Sequence, residues 1–144
     1  AIAHNQFKRL NKFISVRKYN RTKIIEKIKK NKKWNNQFHF ITPSHQINPS
    51  WFGLPILINK KYSKKKNFFL NQLTKNGVEN RPIISGNFTN QPATKLYKLN
   101  KRNLTYVNAQ KVEDLGFFIG LHTKRISNKI AEYIAENLLK INEM

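Results

Sequence analysis

Apolar positions recur at spacings of three, four and seven through residues 2–30, at Ile2, Phe7, Leu10, Ile14, Ile24, Ile25 and Ile28, with no Pro or Gly between them. That period predicts one long amphipathic helix, ended by the Lys29–Lys33 run around Asn31. The pattern then changes. Gln37–Ile41 reads as a short strand with Phe38, Phe40 and Ile41 apolar, and Thr42–Ser50 as a loop marked by Pro43, Asn48 and Pro49. Trp51–Ile58 is the clearest strand. Ser63 is placed to cap a helix over Lys64–Asn76, with Phe69, Leu70 and Leu73 inward and Gly77 as its stop. Val78–Ile84 and Gly116–His122 read as further strands, Thr89–Leu96 as a short helix and Asn108–Asp114 as a helical turn. Ser127–Ile141 is a final helix whose Ile130, Ala131, Ile134, Ala135, Leu138 and Leu139 form one stripe.

This order predicts an α+β fold: a small sheet of three to four strands covered by helices and led by a long N-terminal helix. There are no internal repeats and no low-complexity linker. The chain has 144 residues, enough for one domain with a modest core. A compact domain of this size rarely leads with so long a helix, so residues 1–30 are expected to connect residues 31–144 to something larger upstream.

Composition removes several chemistries. The chain has no cysteine, which excludes disulfides, thiolate catalysis and Cys-ligated metals. None of the five glycines makes a Gly-x-Gly phosphate loop. His4, His39, His45 and His122 lack metal-ligand spacing, and Glu113 and Asp114 are adjacent on a helical turn, unlike a pair for acid–base work. We therefore assign no catalytic residue and no metal ligand. No apolar run approaches the roughly 20 residues that span a bilayer, and the first residues do not read as a signal peptide. The sequons at Asn20, Asn87 and Asn103 are expected by chance in an Asn-rich chain.

Charge is the loudest feature. Twenty-eight Lys and Arg face seven Asp and Glu, a net charge of +21. One reading is a basic nucleic-acid-binding module, with clusters at Lys27–Lys33 and Lys60–Lys66. The other is compositional: Lys, Asn and Ile are abundant together, as A/T-rich codons supply them. We expect the compositional reading, with nucleic acid not a partner and the charge steering an anionic small molecule such as a nucleotide diphosphate.

Three segments join a β-rich run to small and polar residues: Asn48-Pro49-Ser50-Trp51-Phe52-Gly53-Leu54-Pro55-Ile56, then 76–89 with its Arg81-Pro82-Ile83-Ile84-Ser85-Gly86-Asn87-Phe88-Thr89, and Gly116-Phe117-Phe118-Ile119-Gly120-Leu121-His122-Thr123. Arg81 suits a phosphate or carboxylate, and Asn87 a sugar hydroxyl. The plainer alternative pairs Arg81 with Glu79 and makes Ser85–Asn87 only a turn. On the same plain reading His122 is a satisfied structural histidine, and Trp51 and Phe52 belong to the core.

These runs, in this order and spacing, resemble the C-terminal part of the DegT/DnrJ/EryC1/StrS family of sugar aminotransferases. Ala1, Ile2, Gln6 and Leu10 are similar to that family's helix between large and small domains. The runs look closest to the branch of nucleotide-sugar 3-dehydratases acting on 4-keto-6-deoxy sugars. The resemblance implies a fold-type I pyridoxal-phosphate enzyme of surface polysaccharide (lipopolysaccharide) biosynthesis, cytoplasmic and dimeric. It implies that the cofactor is held by a large domain that this chain lacks, either in the same enzyme or separately encoded. The chain alone is then expected to be inactive and to bind no cofactor itself. By the same resemblance Arg81, Ser85, Asn87 and His122 face a nucleotide-sugar substrate, with Trp51 and Phe52 as the wall beneath them.

Overall fold

The computed structural model describes residues 2–98 and 104–144. Ala1 of the helix pattern and the sequon residue Asn103 lie outside them. The leading helix is nearly as the spacing predicts. It consists of α1 (Ile2–Phe7) and α2 (Leu10–Lys30), with a turn at Lys8 and Arg9 between them. Val16, Asn20, Ile24 and Ile28 form the buried stripe of α2.

The sheet has four antiparallel strands in the order β1 (Phe38–Phe40), β2 (Gly53–Ile58), β4 (Gly116–Gly120) and β3 (Asn80–Arg81). Register pairs Phe38 with Ile58, Phe40 with Ile56, Ile56 with Phe117, Leu54 with Ile119 and Arg81 with Phe118. Because side chains alternate along a strand, one face carries Phe38, Phe40, Leu54, Ile56, Ile58, Phe117 and Ile119, all buried. Helices α2, α3 (Lys66–Lys75) and α6 (Asn128–Leu139) supply Ile24, Ile28, Phe69, Leu73, Ala135, Leu138 and Leu139 to the same core. The opposite face carries Gly53, Pro55, Leu57, Phe118 and Arg81. Helix α5 (Val107–Leu115) abuts its Gly116 end, and α4 (Pro92–Leu96) follows a short 3-10 turn at Phe88–Asn90.

Four expectations are corrected. The strand expected over Val78–Ile84 is only two residues long, because Pro82 has no N–H to extend the ladder with β4. The β2 strand starts at Gly53 rather than Trp51, which has a left-handed φ of 52°. A 3-10 turn over Lys60–Lys65 precedes α3, and its cap is Asn59, whose side chain accepts from the Lys61 N–H; Ser63 caps nothing. Ile130, placed in the inward stripe of α6, is half exposed at the rim of a groove.

Other termini form as read. Ser127 caps α6 by accepting from the Ile130 N–H at 3.2 Å. At the end of α3 the N–H groups of Val78 and Gly77 donate to the carbonyls of Leu73 and Thr74 (2.8 and 2.9 Å), with Gly77 at φ 73°. This is the double-bonded glycine stop, and buried Val78 and Leu73 complete it in the core. Among the described residues no helix is long and apolar enough to cross a membrane, and no group of three or more His, Asp or Glu is placed to hold a metal ion.

Candidate functional site

Arg81, His122 and Phe52 come from three segments and meet at one groove of about 520 Å³. Its apolar floor and walls are Phe118, Ile119, Ile130, Tyr133 and Ile134. Arg81 is at the edge of the sheet on β3. Its Nε and Nη2 both donate to Glu79 Oε1, at 3.1 and 2.7 Å, in an exposed ion pair. The pairing named as the plainer alternative therefore forms, yet it uses only two of the five guanidinium N–H donors.

His122 follows the end of β4. Its Nδ1 accepts from the Lys124 N–H at 2.9 Å. The loop is pinned by Asn20, which is wholly buried in α2. The Asn20 amide donates to the carbonyls of His122 (3.0 Å) and Lys124 (2.9 Å) and accepts from the Ile126 N–H (3.1 Å). With all three bonds made, the buried amide carries no desolvation penalty and fixes the loop on the helix.

Phe52 corrects the expectation that it joins the core: it is 71% exposed and stands 6.0 Å from the Phe118 ring. The close approach requires Gly53, where a Cβ would lie 2.6 Å from Phe118 Cδ2 and 2.9 Å from the Ile119 carbonyl. Trp51 is half-buried against the core, with the Arg21 guanidinium 4.0 Å from its ring centroid. Burial holds the Arg21 pKa below its ordinary value.

The remaining residues lie farther along the same face. An apolar depression of about 380 Å³ is lined by Trp51, Phe52, Pro55, Ile83, Ile84 and Phe118. Ile83 and Ile84 in turn border a depression of about 540 Å³ that includes Ser85 and Gly86. The three hollows share lining residues and so run side by side. Asn87 lies beneath this band. It is buried; its N–H donates to Glu113 (2.7 Å), its amide donates to Gln110 (2.9 Å), and its Oδ1 accepts from Thr89.

Sequence reasoning missed Arg17. It lines the groove from α2, 5.8 Å from the Phe52 ring centroid, and its Nε is buried without a hydrogen-bond partner. Nothing in the helical periodicity separates it from the other cations of α2. With Arg17 and Arg81 against a single carboxylate, Glu79, in its lining, the groove is a cationic cleft with an aromatic wall.

The model of the DegT/DnrJ/EryC1/StrS aminotransferase family matches residues 1–138. The chain belongs to this family. Among curated relatives, it is 30% identical over 139 residues to the GDP-4-keto-6-deoxy-D-mannose 3-dehydratase of Escherichia coli O55:H7, covering 96% of this chain and 34% of that protein. It is 26% identical to the enzyme of the same name from Yersinia pseudotuberculosis, covering 97% and 34%. A solved GDP-4-keto-6-deoxymannose-3-dehydratase variant with bound GDP-perosamine superposes with a TM-score of 0.77 at 28% identity, over 95% of this chain and 34% of that one. The E. coli enzyme with bound hydrated PLP gives 0.74 at 27%, over 95% and 33%. This member of the family thus spans about a third of the length of the relatives it matches, with the expected α+β fold.

Proposed function

We propose that the chain is the C-terminal, substrate-covering domain of a pyridoxal-phosphate-dependent enzyme acting on 4-keto-6-deoxy sugar nucleotides, by transamination or 3-dehydration. On this reading residues 1–30 link to a large domain, encoded with it or separately, and the assembled enzyme is a cytoplasmic dimer serving surface polysaccharide synthesis. The observation that carries the reading is the meeting of Arg81, His122 and Phe52 at one groove, in a chain whose relatives include an enzyme solved with GDP-perosamine. Arg81 and Arg17 supply charge for the anionic part of the ligand, and Phe52 supplies a flat wall. Ser85 presents its hydroxyl farther along the band beside Ile84, and Trp51 backs the apolar stretch. Asn87 holds the Ser85–Thr89 turn in shape through Glu113 and Gln110.

The residues described do not fit the cofactor itself. Pyridoxal phosphate would supply an electron sink, but among the described residues no lysine lines the groove. Lys66 is the lysine whose pKa burial lowers, and its Nζ donates 2.9 Å to the Glu113 carbonyl. The groove's part is to bind, to orient and to exclude water.

The test has two arms. Incubation with pyridoxal phosphate and borohydride reduction is expected to give no stoichiometric adduct at any one lysine, and such an adduct would overturn the proposal. Calorimetry with a GDP-linked 6-deoxy sugar is expected to show binding weakened at least tenfold by Arg81→Gln. Equal affinity in both proteins would remove Arg81 from the site.

A further inference from the structure

The two basic runs, Lys27–Lys33 and Lys60–Lys66, are about thirty residues apart in sequence and lie together in the fold. The backbone N–H of Asn59 donates to the Gln37 carbonyl at 2.7 Å, and its side chain donates to the Asn36 carbonyl at 3.4 Å. Gln37, wholly buried, donates in turn to the Lys33 carbonyl at 2.7 Å. These bonds set the end of α2 beside the start of the Lys60–Lys65 turn. The two runs hold ten lysines, of which Lys27 and Lys33 are ion-paired, with Glu132 and Glu143. Glu26 is the only carboxylate on α2.

Beside this junction, between α2 and the edge strand β1, lies a groove of about 470 Å³ whose lining includes Arg21, Lys29, Trp34, Asn36 and His39 and no carboxylate. It is on the core-helix side of β1, away from the cleft of Arg81 and His122. Arg21 Nε is buried there without a partner. Trp34 and His39 are planar groups of the kind on which bases stack, and the Arg21 guanidinium, itself stacked on Trp51, adds charge beside them.

We propose that this junction and groove form a binding site for single-stranded nucleic acid, with Lys29, Lys32, Lys60 and Lys61 on successive phosphates and a base in the groove against Trp34. The composition alone had argued against such a role; what the fold adds is a place where the charge converges on a stacking surface. An anionic membrane fits less well, because the apolar groups that line the groove, Ile25, Trp34, Phe38 and Phe40, are buried or half-buried.

The proposal is tested with a fluorescein-labelled twelve-uridine oligonucleotide, by anisotropy across a potassium chloride series. Binding is expected to persist at 150 mM salt, with log affinity falling against log salt at a slope near −3, as roughly four phosphate contacts at about −0.7 each would give. A variant carrying K29Q, K32Q, K60Q and K61Q is expected to bind at least tenfold more weakly. One carrying K8Q, K12Q, K95Q and K111Q, with equal loss of charge, is expected to weaken binding less than threefold. All eight lysines are exposed, so both variants should keep the fold. Equal weakening by the two variants would reduce the effect to net charge and overturn the site. So would loss of wild-type binding below 150 mM salt, or displacement by polyglutamate or phosphatidylserine vesicles at matched charge. None of these results bears on the sugar-nucleotide cleft.

Discussion

The two faces of the sheet are made by the same strands and have opposite fates. On one, Leu54, Ile56, Ile58, Phe117 and Ile119 are buried by α2, α3 and α6. On the other, Phe118, Pro55 and Ile83 line open hollows, with Phe52 71% and Ile84 85% exposed. Both faces are apolar, so hydrophobic content does not separate them; what separates them is whether the chain supplies a cover. Stability therefore resides on the first face, the second is where we propose ligand contact, and substitutions can tell them apart.

The largest contrast is between two phenylalanines. Phe117→Ala removes a wholly buried ring packed edge-on against Phe69 and is expected to cost about 3–5 kcal/mol in urea unfolding. Phe52→Ala should stay within about 0.5 kcal/mol while weakening sugar-nucleotide binding. If both cost the same, Phe52 is structural and the contrast collapses. Asn20→Ala comes next. It strands the carbonyls of His122 and Lys124 and the N–H of Ile126, at a cost on the order of 2–3 kcal/mol. Hydrogen exchange should quicken at Ile126, and unchanged protection there would show that the loop is held by other contacts.

Gly77→Ala is smaller. No atom lies within 4 Å of the added Cβ, so the penalty is conformational alone, about 1 kcal/mol, and Gly77→Asn should recover part of it. Smallest is the exposed pair Lys33–Glu143. The hydrogen bond and charge of Lys33 lower the Glu143 pKa, and Glu143 raises that of Lys33. The stabilisation from Glu143 is therefore present above the ordinary carboxylate range and lost as pH falls through its lowered folded value. That from Lys33 is lost only above the ordinary lysine range. The Tm difference between wild type and Glu143→Gln should shrink from pH 7 to pH 3 and vanish in high salt; a difference that persists at pH 3 would assign it to packing instead.

Much of the fold was legible because its signals are local. The stripe of α6, the glycine stop at Gly77 and the capping Ser127 each declare themselves within a few residues. The failures arose where a neighbour decides. The apolar run Trp51–Ile58 identifies a strand but does not say that one face is left open, so Phe52 reads as core. The 78–84 run looks uniformly extended, but pairing with β4 stops at Pro82. Arg17 is one cation among many on α2, and only the approach of Phe52 and the His122 loop marks it. The resemblance to the family was readable because its motif runs are contiguous. The groove they form was not, because its walls come from α2, β3, β4 and α6.

The Asn20 pin also has a consequence for the order in which the molecule is made. Its partners lie 102 to 106 residues later, and the ion pair from Lys27 to Glu132 spans 105. Helix α2 therefore finds its main packing surface, α6, only when residues about a hundred positions farther along have been made. Contacts between residues so far apart in sequence close slowly. Until they form, the apolar stripe of Ile24 and Ile28 lacks its last covering helix, so this fold is completed only after α6 has been made.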